Sequence, residues 1–326
     1  MVHDPSSGVL KPFNFKHIEQ QVPEIKRIEC MIDTVSLDPL IDSSDVSPES
    51  WQEIAGIIET KYSNYDGFVI LHGTDTMAYS ASALSFILEN LEKPVIFTGS
   101  QLPIGTIRTD GKENLISAVE IAASAKNSKT IVPEVCIFFE KFLRRGNRTT
   151  KSSSEHFNAF DSPNYPPLAE AGINIKYNTN LIITPTVRKD LKVNKKIDSN
   201  ISILKIFPGM GSNTVQRFFK SSPARAVIIE SYGTGNGPSA GWYIKTITDY
   251  ISSGGLVLNI TQCYSGSVEM GFYETGRSLL EAGVISGLDM TTEAAAAKLM
   301  YLLGNYSDTE IIKSLLNSNI RGEISL

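Results

Sequence analysis

The segment Leu71-His72-Gly73-Thr74-Asp75-Thr76 gathers side chains whose types could carry acyl chemistry. It follows a short apolar run and precedes a stretch of helical period. Three polar side chains, Thr74, Asp75 and Thr76, therefore fall at the carboxyl end of a strand and at a helix N-terminus. Backbone N–H groups and the helix dipole there favour an anion or a developing oxyanion. Threonine and aspartate are also common helix caps, so a T-D turn by itself reads first as capping; His72-Gly73 and the second threonine make capping alone a weaker account. A threonine hydroxyl is a weak nucleophile at neutral pH and needs a base. A neutral lysine amine can serve when burial or a neighbour lowers its pKa. Arg145-Gly146-Asn147-Arg148-Thr149-Thr150-Lys151 contains such a lysine. A lysine after a polar loop is ordinarily a solvated charge, and Lys151 gains interest only beside Thr74 and Asp75, where the aspartate would fix and tune the amine. Ile41-Asp42-Ser43-Ser44-Asp45 reads either as a capping loop or as a hydrogen-bonding loop for a small zwitterion, with serine hydroxyls on an α-carboxylate and Asp75 on an α-ammonium. Phe97 to Pro103 (FTGSQLP) and Arg108 to Gly111 (RTDG) again follow a strand and line the same edge.

The elements that must position these groups are visible as apolar runs alternating with helix-period segments. Gly67 to Leu71, Pro94 to Thr98, Val135 to Phe139, Ala226 to Ile229 and Leu256 to Ile260 are short and rich in strand formers. Runs apolar on both faces point to strands buried on both faces, as in a parallel sheet. Ser47-Pro48-Glu49 predicts a helix start, with a cap, a first-turn proline and a first-turn acid. Trp51, Ile54, Ile57 and Ile58 then share one face. Further helices are predicted over about Met77 to Asn90, with Ala81, Leu84 and Leu88 inward, and about Lys112 to Ala125. This alternation argues for an α/β doubly wound fold, in which ligands bind at the carboxyl ends of the strands. The polar, Lys-rich segment Thr184 to Asn200 predicts a linker between a larger domain, 1–183, and a smaller α/β domain, 201–326.

A chain of 326 residues exceeds what one hydrophobic core usually supports. Its 41% apolar and 20% charged residues are ordinary for a globular enzyme. A net charge of −5 gives no basic surface for nucleic acid. No run reaches the roughly 18 apolar residues of a membrane helix. Met1 to Gly8 shows neither the basic nor the apolar region of a secretory signal, which predicts a cytoplasmic protein. The three cysteines, Cys30, Cys136 and Cys263, read as reduced thiols. His3, His17, His72 and His156 show no metal-ligand spacing. There is no G-x-S-x-G elbow and no Walker loop. Tyr232-Gly233-Thr234-Gly235-Asn236-Gly237 holds a G-x-G pair without the rest of a dinucleotide fingerprint.

Taken together, the 32-residue stretch from His72 to Pro103 beginning HGTDTMAYSA, Arg148-Thr149-Thr150-Lys151, and YGTGNGP followed by Asn259-Ile260-Thr261-Gln262-Cys263 resemble the bacterial cytoplasmic (type I) L-asparaginases over nearly the whole chain. The HGTDT block is the specific part; the rest agrees in order and spacing. The resemblance implies a two-domain asparaginase-like fold whose larger N-terminal domain holds the catalytic groups, and hydrolysis of L-asparagine to L-aspartate and ammonia without metal or organic cofactor. It implies that Thr74 is a catalytic threonine, that Asp75 is the acid beside it and binds the substrate ammonium, and that Lys151 is the catalytic lysine. It makes Ser43 and Ser44 substrate-binding residues. It has Asn236 reach a neighbouring subunit's site in a homodimer or homotetramer. Two departures are visible. The family's opening strand, ending in Thr-Gly-Gly-Thr-Ile and bearing the threonine usually taken as primary nucleophile, is absent, and Met1 to Lys11 looks like the lid that should follow it. The lid tyrosine is absent too, with Val9 and Leu10 nearest its place. A truncated, non-catalytic asparagine- or aspartate-binding chain and an asparaginase-like subunit of a tRNA-dependent amidotransferase are the alternatives, and loss of a central strand would expose a sheet edge. The second departure is at an inter-subunit allosteric site of some members. Thr150 and Cys263 match positions there, but Glu230 stands where those members have an arginine, and an acid cannot replace a guanidinium holding a carboxylate. Cys263 reads otherwise as a small buried hydrophobe.

Overall fold

The computed structural model describes residues 2–3, 10–11, 21–126, 129–185, 187, 189–221 and 224–325. They form two compact units, residues 1–162 with 166–193, and residues 163–165 with 194–326. Of the stretch expected to form a lid, Val2–His3 and Leu10–Lys11 pair antiparallel; Val9 lies outside the described residues.

In the first unit, helix α1 spans Pro48–Lys61. Ser47 N–H donates to Ser50 Oγ at 3.3 Å, and the Ser47 hydroxyl donates to the Glu49 carboxylate at 2.7 Å. Trp51, Ala55 and Ile58 form its buried stripe, at the i, i+4, i+7 spacing of one helical face. Strand β1, Phe68–Leu71, helix α2, Met77–Ile87, strand β2, Val95–Thr98, helix α3, Gly111–Ala123, and strand β3, Val135–Phe139, then alternate. β1, β2 and β3 are mutually parallel, with Phe68 opposite Val95 and Val95 opposite Val135. The parallel pattern stops there. Strand β4, Phe142–Arg145, returns antiparallel on β3 after two residues, far fewer than a parallel crossover needs; Glu140 takes φ 57° to make the turn. A hairpin of β5, Thr150–Lys151, and β6, Phe160–Asp161, lies apart from the main sheet. β7, Ala169–Ala171, and β8, Ile175–Tyr177, complete a six-stranded mixed sheet ordered β8-β7-β4-β3-β2-β1. The expected parallel sheet is thus parallel in its first three strands only.

Among the described residues β1 is the outer strand, and its residues are half-buried or exposed where those of β2 are buried. α2 is buried on all sides except at Tyr79. Its small residues, Ala78, Ser80, Ala81, Ser82, Ala83 and Ser85, allow that close packing. The helix ends at Ile87 rather than near Asn90, because Leu88–Glu89 pairs antiparallel with Lys192–Val193. The Lys-rich segment read as a linker therefore contributes two residues to a strand pair of the first unit.

The second unit is a four-stranded parallel sheet of β9, Ile201–Lys205, β10, Ala226–Ser231, β11, Leu256–Thr261, and β12, Ile285–Ser286, in that order. Val227, Ile229 and Val257 pack there with Phe219 of helix α4, Ser212–Ser221, and with Tyr243 and Ile247 of helix α5, Gly241–Ser252. Helix α6, Glu274–Glu281, follows. Helix α7, Thr292–Asn305, is capped by Thr291, whose hydroxyl accepts from Ala294 N–H at 3.1 Å. Helix α8, Thr309–Leu316, is capped by Asp308. No helix among the described residues is long and apolar enough to cross a membrane.

Candidate functional site

Because β1 and β2 are parallel, their carboxyl ends open on one edge of the sheet. His72 N–H still donates to Thr98 O at 2.9 Å; past that bond the chain leaves the ladder, and Gly73 to Thr76 form the turn into α2. Three loops meet there. A Cβ on Gly73 would fall 2.6 Å from Ser43 Cβ, so only glycine lets the turn approach the 3-10 turn Ser43–Asp45. A Cβ on Gly99 would overlap the His72 carbonyl, so the loop after β2 needs glycine for the same reason. Thr76 Oγ1 closes the contact by donating to Ser43 O at 2.5 Å.

Lys151 arrives from the other direction. β4 runs into a buried 3-10 turn, Gly146–Arg148, packed under Ala81 of α2. The Thr149 hydroxyl donates to Arg145 O at 2.7 Å, and Lys151 pairs with Phe160 across the β5–β6 hairpin. Its ammonium then lies 2.9 Å from Thr74 Oγ1 and 2.6 Å from Asp75 Oδ1. Lys151 is 18% exposed and Asp75 65%, so the pair sits at a mouth, the amine inward and the carboxylate towards solvent. The Thr74 hydroxyl donates to Gln101 Oε1 at 3.0 Å, and Gln101 Nε2 donates to His156 O at 3.2 Å. In this arrangement Thr74 accepts from Lys151 while its own proton points to Gln101. Transfer of that proton to Lys151 requires the hydroxyl to rotate and the amine to be neutral.

Ser43 is buried, at 5% exposure. The Ser44 hydroxyl and N–H both donate to Asp42 Oδ1 at 2.9 Å, and these two bonds hold the Asp42 carboxyl below its ordinary pKa. The loop thus shows the cap of the capping reading and also lies against the Thr74 turn. The carboxylate of Asp110 accepts from Gln101 N–H (3.0 Å) and Leu102 N–H (3.1 Å). Asn114 donates to Gly99 O at 2.9 Å and accepts from Glu140 N–H at 2.8 Å. These two residues of the α3 N-terminus shape the loop that carries Gln101. Gln101 belongs to the FTGSQLP segment singled out in the sequence, but its bond to Thr74 has no local signature. Trp51, Ser80 and His72 form a further chain, Trp51 Nε1 to Ser80 Oγ (3.0 Å) and Ser80 Oγ to His72 Nε2 (2.9 Å). Burial lowers the His72 pKa, partly offset by the bond of Nδ1 to Gly73 O at 2.7 Å.

The remaining expected residues are divided between the units. Thr150 pairs with Asp161 in the first. In the second, Asn236 Oδ1 accepts from the Thr275 hydroxyl at 2.9 Å. The Glu230 carboxylate accepts from the Thr292 hydroxyl (2.8 Å) and pairs with Lys205 (3.3 Å), which leaves an acid engaged in its own domain where an arginine was expected by likeness. Cys263 is exposed rather than a buried hydrophobe, because it lies beyond the end of β11, where its N–H donates to Thr261 Oγ1 at 3.0 Å. No group of three or more His, Cys, Asp or Glu among the described residues is arranged to hold a metal ion.

Residues 1–183 match the family model "Asparaginase, N-terminal", and residues 200–316 match "Glutaminase/Asparaginase C-terminal domain". L-asparaginase 1 of Escherichia coli (strain K12) is 47% identical over 313 residues, covering 95% of this chain and 90% of that protein. The crystal structure of L-asparaginase I from Vibrio cholerae O1 biovar eltor superposes with a TM-score of 0.88 at 44% identity, covering 98% of this chain and 96% of that one. A more distant relative, a glutamyl-tRNA(Gln) amidotransferase subunit of Thermoplasma acidophilum, is 32% identical over 300 residues, 89% of this chain and 70% of that protein. Matched through both of its domains, the chain belongs to the asparaginase family.

Proposed function

We propose that the protein hydrolyses the side-chain amide of L-asparagine to L-aspartate and ammonia, with Thr74, Lys151 and Asp75 as the relay that activates the attacking oxygen. The observation that carries this reading is the single amine of Lys151 within hydrogen-bond distance of both Thr74 and Asp75, just past the carboxyl end of β1. Neutral Lys151 takes the proton of the Thr74 hydroxyl, which takes one in turn from the attacking oxygen, whether a threonine hydroxyl or water. A C–O bond forms, the tetrahedral oxyanion is held by backbone N–H groups near Thr74, and the C–N bond breaks as the proton passes to departing ammonia. Each well-placed oxyanion donor is worth about 3 kcal/mol in acyl transfer. When a threonine attacks, water completes the cycle by hydrolysing the acyl-enzyme. Ser43 and Ser44 receive the substrate α-carboxylate and Asp75 its α-ammonium. Asn236 completes a neighbouring subunit's site in a homodimer or homotetramer, in the cytoplasm. Thr150 and Cys263 stay assigned to an effector site that Glu230 leaves without its arginine.

The test is release of ammonia and aspartate from L-asparagine by this chain, by a form extended upstream with a T-G-G-T-I strand, and by Lys151→Met in each. We expect Lys151→Met to lose a factor on the order of 10²–10⁴ in kcat, the range for a positioned proton-transfer group. Full turnover by Lys151→Met, or none by either parent, refutes the reading. The half-buried, outer position of β1 among the described residues favours one second reading, a chain that binds asparagine or aspartate without turnover; calorimetric binding with no ammonia from either parent would identify it. Co-purification with a second protein would point to the reading as part of an amidotransferase.

A further inference from the structure

A line of hydrogen bonds in the first unit has its direction dictated from both ends. The indole Nε1 of Trp51 can only donate, and it lies 3.0 Å from Ser80 Oγ. The Gly73 carbonyl can only accept, and it lies 2.7 Å from His72 Nδ1. Between them Ser80 Oγ stands 2.9 Å from His72 Nε2. Nδ1 therefore carries the imidazole proton, Nε2 is bare, and Ser80, already accepting from Trp51, gives its hydroxyl proton to Nε2. Trp51 and Ser80 are buried, at 6% and 0% exposure, on two different helices. The imidazole also packs against the Phe97 ring, with centroids 5.8 Å apart, so it is held by contact as well as by hydrogen bonds.

The acceptor at the end of this line is the residue before Thr74. Gly73 must be glycine because Ser43 occupies the space of its Cβ, yet glycine is the residue least able to hold its own φ and ψ. Since the peptide unit is planar and trans, fixing the Gly73 carbonyl also fixes the N–H of Thr74, which points the opposite way within that plane. We propose that Trp51, Ser80 and His72 are positioning residues, a one-directional relay that locks the Gly73–Thr74 peptide in the orientation presenting Thr74 to Lys151. This inference rests on the reading of Thr74, Lys151 and Asp75 as the hydrolytic relay. It assigns His72, the first residue of the HGTDT block, a part in which it touches neither substrate nor reacting atoms.

The test compares Ser80→Ala with Ser80→Thr, and both with His72→Phe, in the full chain. Nitrogen NMR of the histidine side chain reads the tautomer, the Thr74 backbone amide resonance reads the peptide plane, and steady-state ammonia release reads kcat and KM. The wild type is expected to show the Nδ1-protonated ring. Ser80→Ala removes the donor to Nε2; it is expected to mix the tautomers, shift the Thr74 amide and lower kcat on the order of tenfold with KM within about twofold, as small misplacements of a reacting group do. Ser80→Thr restores the hydroxyl, the tautomer, the Thr74 resonance and most of kcat. His72→Phe is expected to lower kcat at least as far as Ser80→Ala. An Nε2-protonated ring in the wild type overturns the proposal, as do equal kcat losses in Ser80→Ala and Ser80→Thr, or an unmoved Thr74 amide in Ser80→Ala. If the wild type releases no ammonia, the hydrolytic reading fails by itself and the Thr74 resonance decides the relay, supporting it when displaced in Ser80→Ala and restored in Ser80→Thr.

Discussion

Two lysine–carboxylate pairs, one in each unit, share an N–O distance of 2.6 Å and little else. Lys151 and Asp75 are 18% and 65% exposed; Lys298 and Glu323 are both at 0%. Lys298 spends all three of its donor directions, on Glu323 Oε1, on Leu316 O at 3.1 Å and on Ser318 O at 2.6 Å. Glu323 in turn accepts from Ile320 N–H and Arg321 N–H. That pair ties the C-terminal segment to α7 and the end of α8. Burial lowers the Lys298 pKa, with Glu323 opposing the shift. Lys151 has no carbonyl partners of this kind among the described residues; its second partner is a hydroxyl that can change roles. Contact distance therefore says nothing about use. A saturated, dry lysine is an anchor, and a lysine beside a rotatable hydroxyl is free to exchange a proton with that hydroxyl.

Breaking each pair should separate the two roles. The largest effect is expected from Lys151→Met, a loss on the order of 10²–10⁴ in kcat, while an exposed pair of this kind holds only about 0–1 kcal/mol of stability; a denaturant melt beside the kinetic assay checks both. Lys298→Met inverts the pattern. It strands Glu323 in the core and should cost about 3–5 kcal/mol of stability, with kcat per folded molecule unchanged. Replacing both partners, Lys298→Met with Glu323→Leu, should recover most of that loss, because a well-packed apolar pair often equals a buried ion pair. A double mutant as unstable as the single would show that the carbonyl contacts, not the charge, anchor the C-terminus. Gly73→Ala comes next. Its Cβ collides with Ser43 and should cost about 1–3 kcal/mol, the usual range for overpacking, together with a fall in kcat, measured by the same melt and assay.

The smallest effect is a pH dependence. His72 has its pKa lowered by burial from an ordinary value near 6.5. Between the folded value and 6.5 the unfolded chain binds the proton more readily than the folded one, so stability rises with pH there. The contribution is complete above about 6.5 and is lost as pH falls through that window towards the folded value. His72→Phe should flatten this part of a plot of melting temperature against pH; an unchanged slope would place the titration elsewhere.

Much of the frame was legible because its signals are local. The apolar run Val135 to Phe139 is the strand that was read, and the HGTDT turn lies at the end of β1 as its position after an apolar run implied. The N-terminal turn of α1 was announced by Ser47-Pro48-Glu49. What could not be read depends on partners far apart in the chain. Thr74 meets Gln101 27 residues on, Trp51 meets Ser80 29 residues on, and Lys151 meets Asp75 76 residues back. Lys298, in an alanine-rich helix, likewise meets its buried partner Glu323 only across the C-terminal loop. Strands of two or three residues, such as Lys192–Val193 in the lysine-rich stretch, carry too few side chains for an alternating pattern to register.

Helix α2 also decides which parts of the site can yield. Nearly every one of its side chains is buried, and its first turn receives Thr74 to Thr76 while its second carries Ser80. Its amides should therefore exchange with solvent only through large, rare openings, and Thr74 stands on one of the stiffest posts the fold has to offer. Adaptability must come from elsewhere, from the loops at 42–45 and 99–103 that lean on that post. Anyone wishing to retune which amide is accepted should vary those loops and leave α2 untouched.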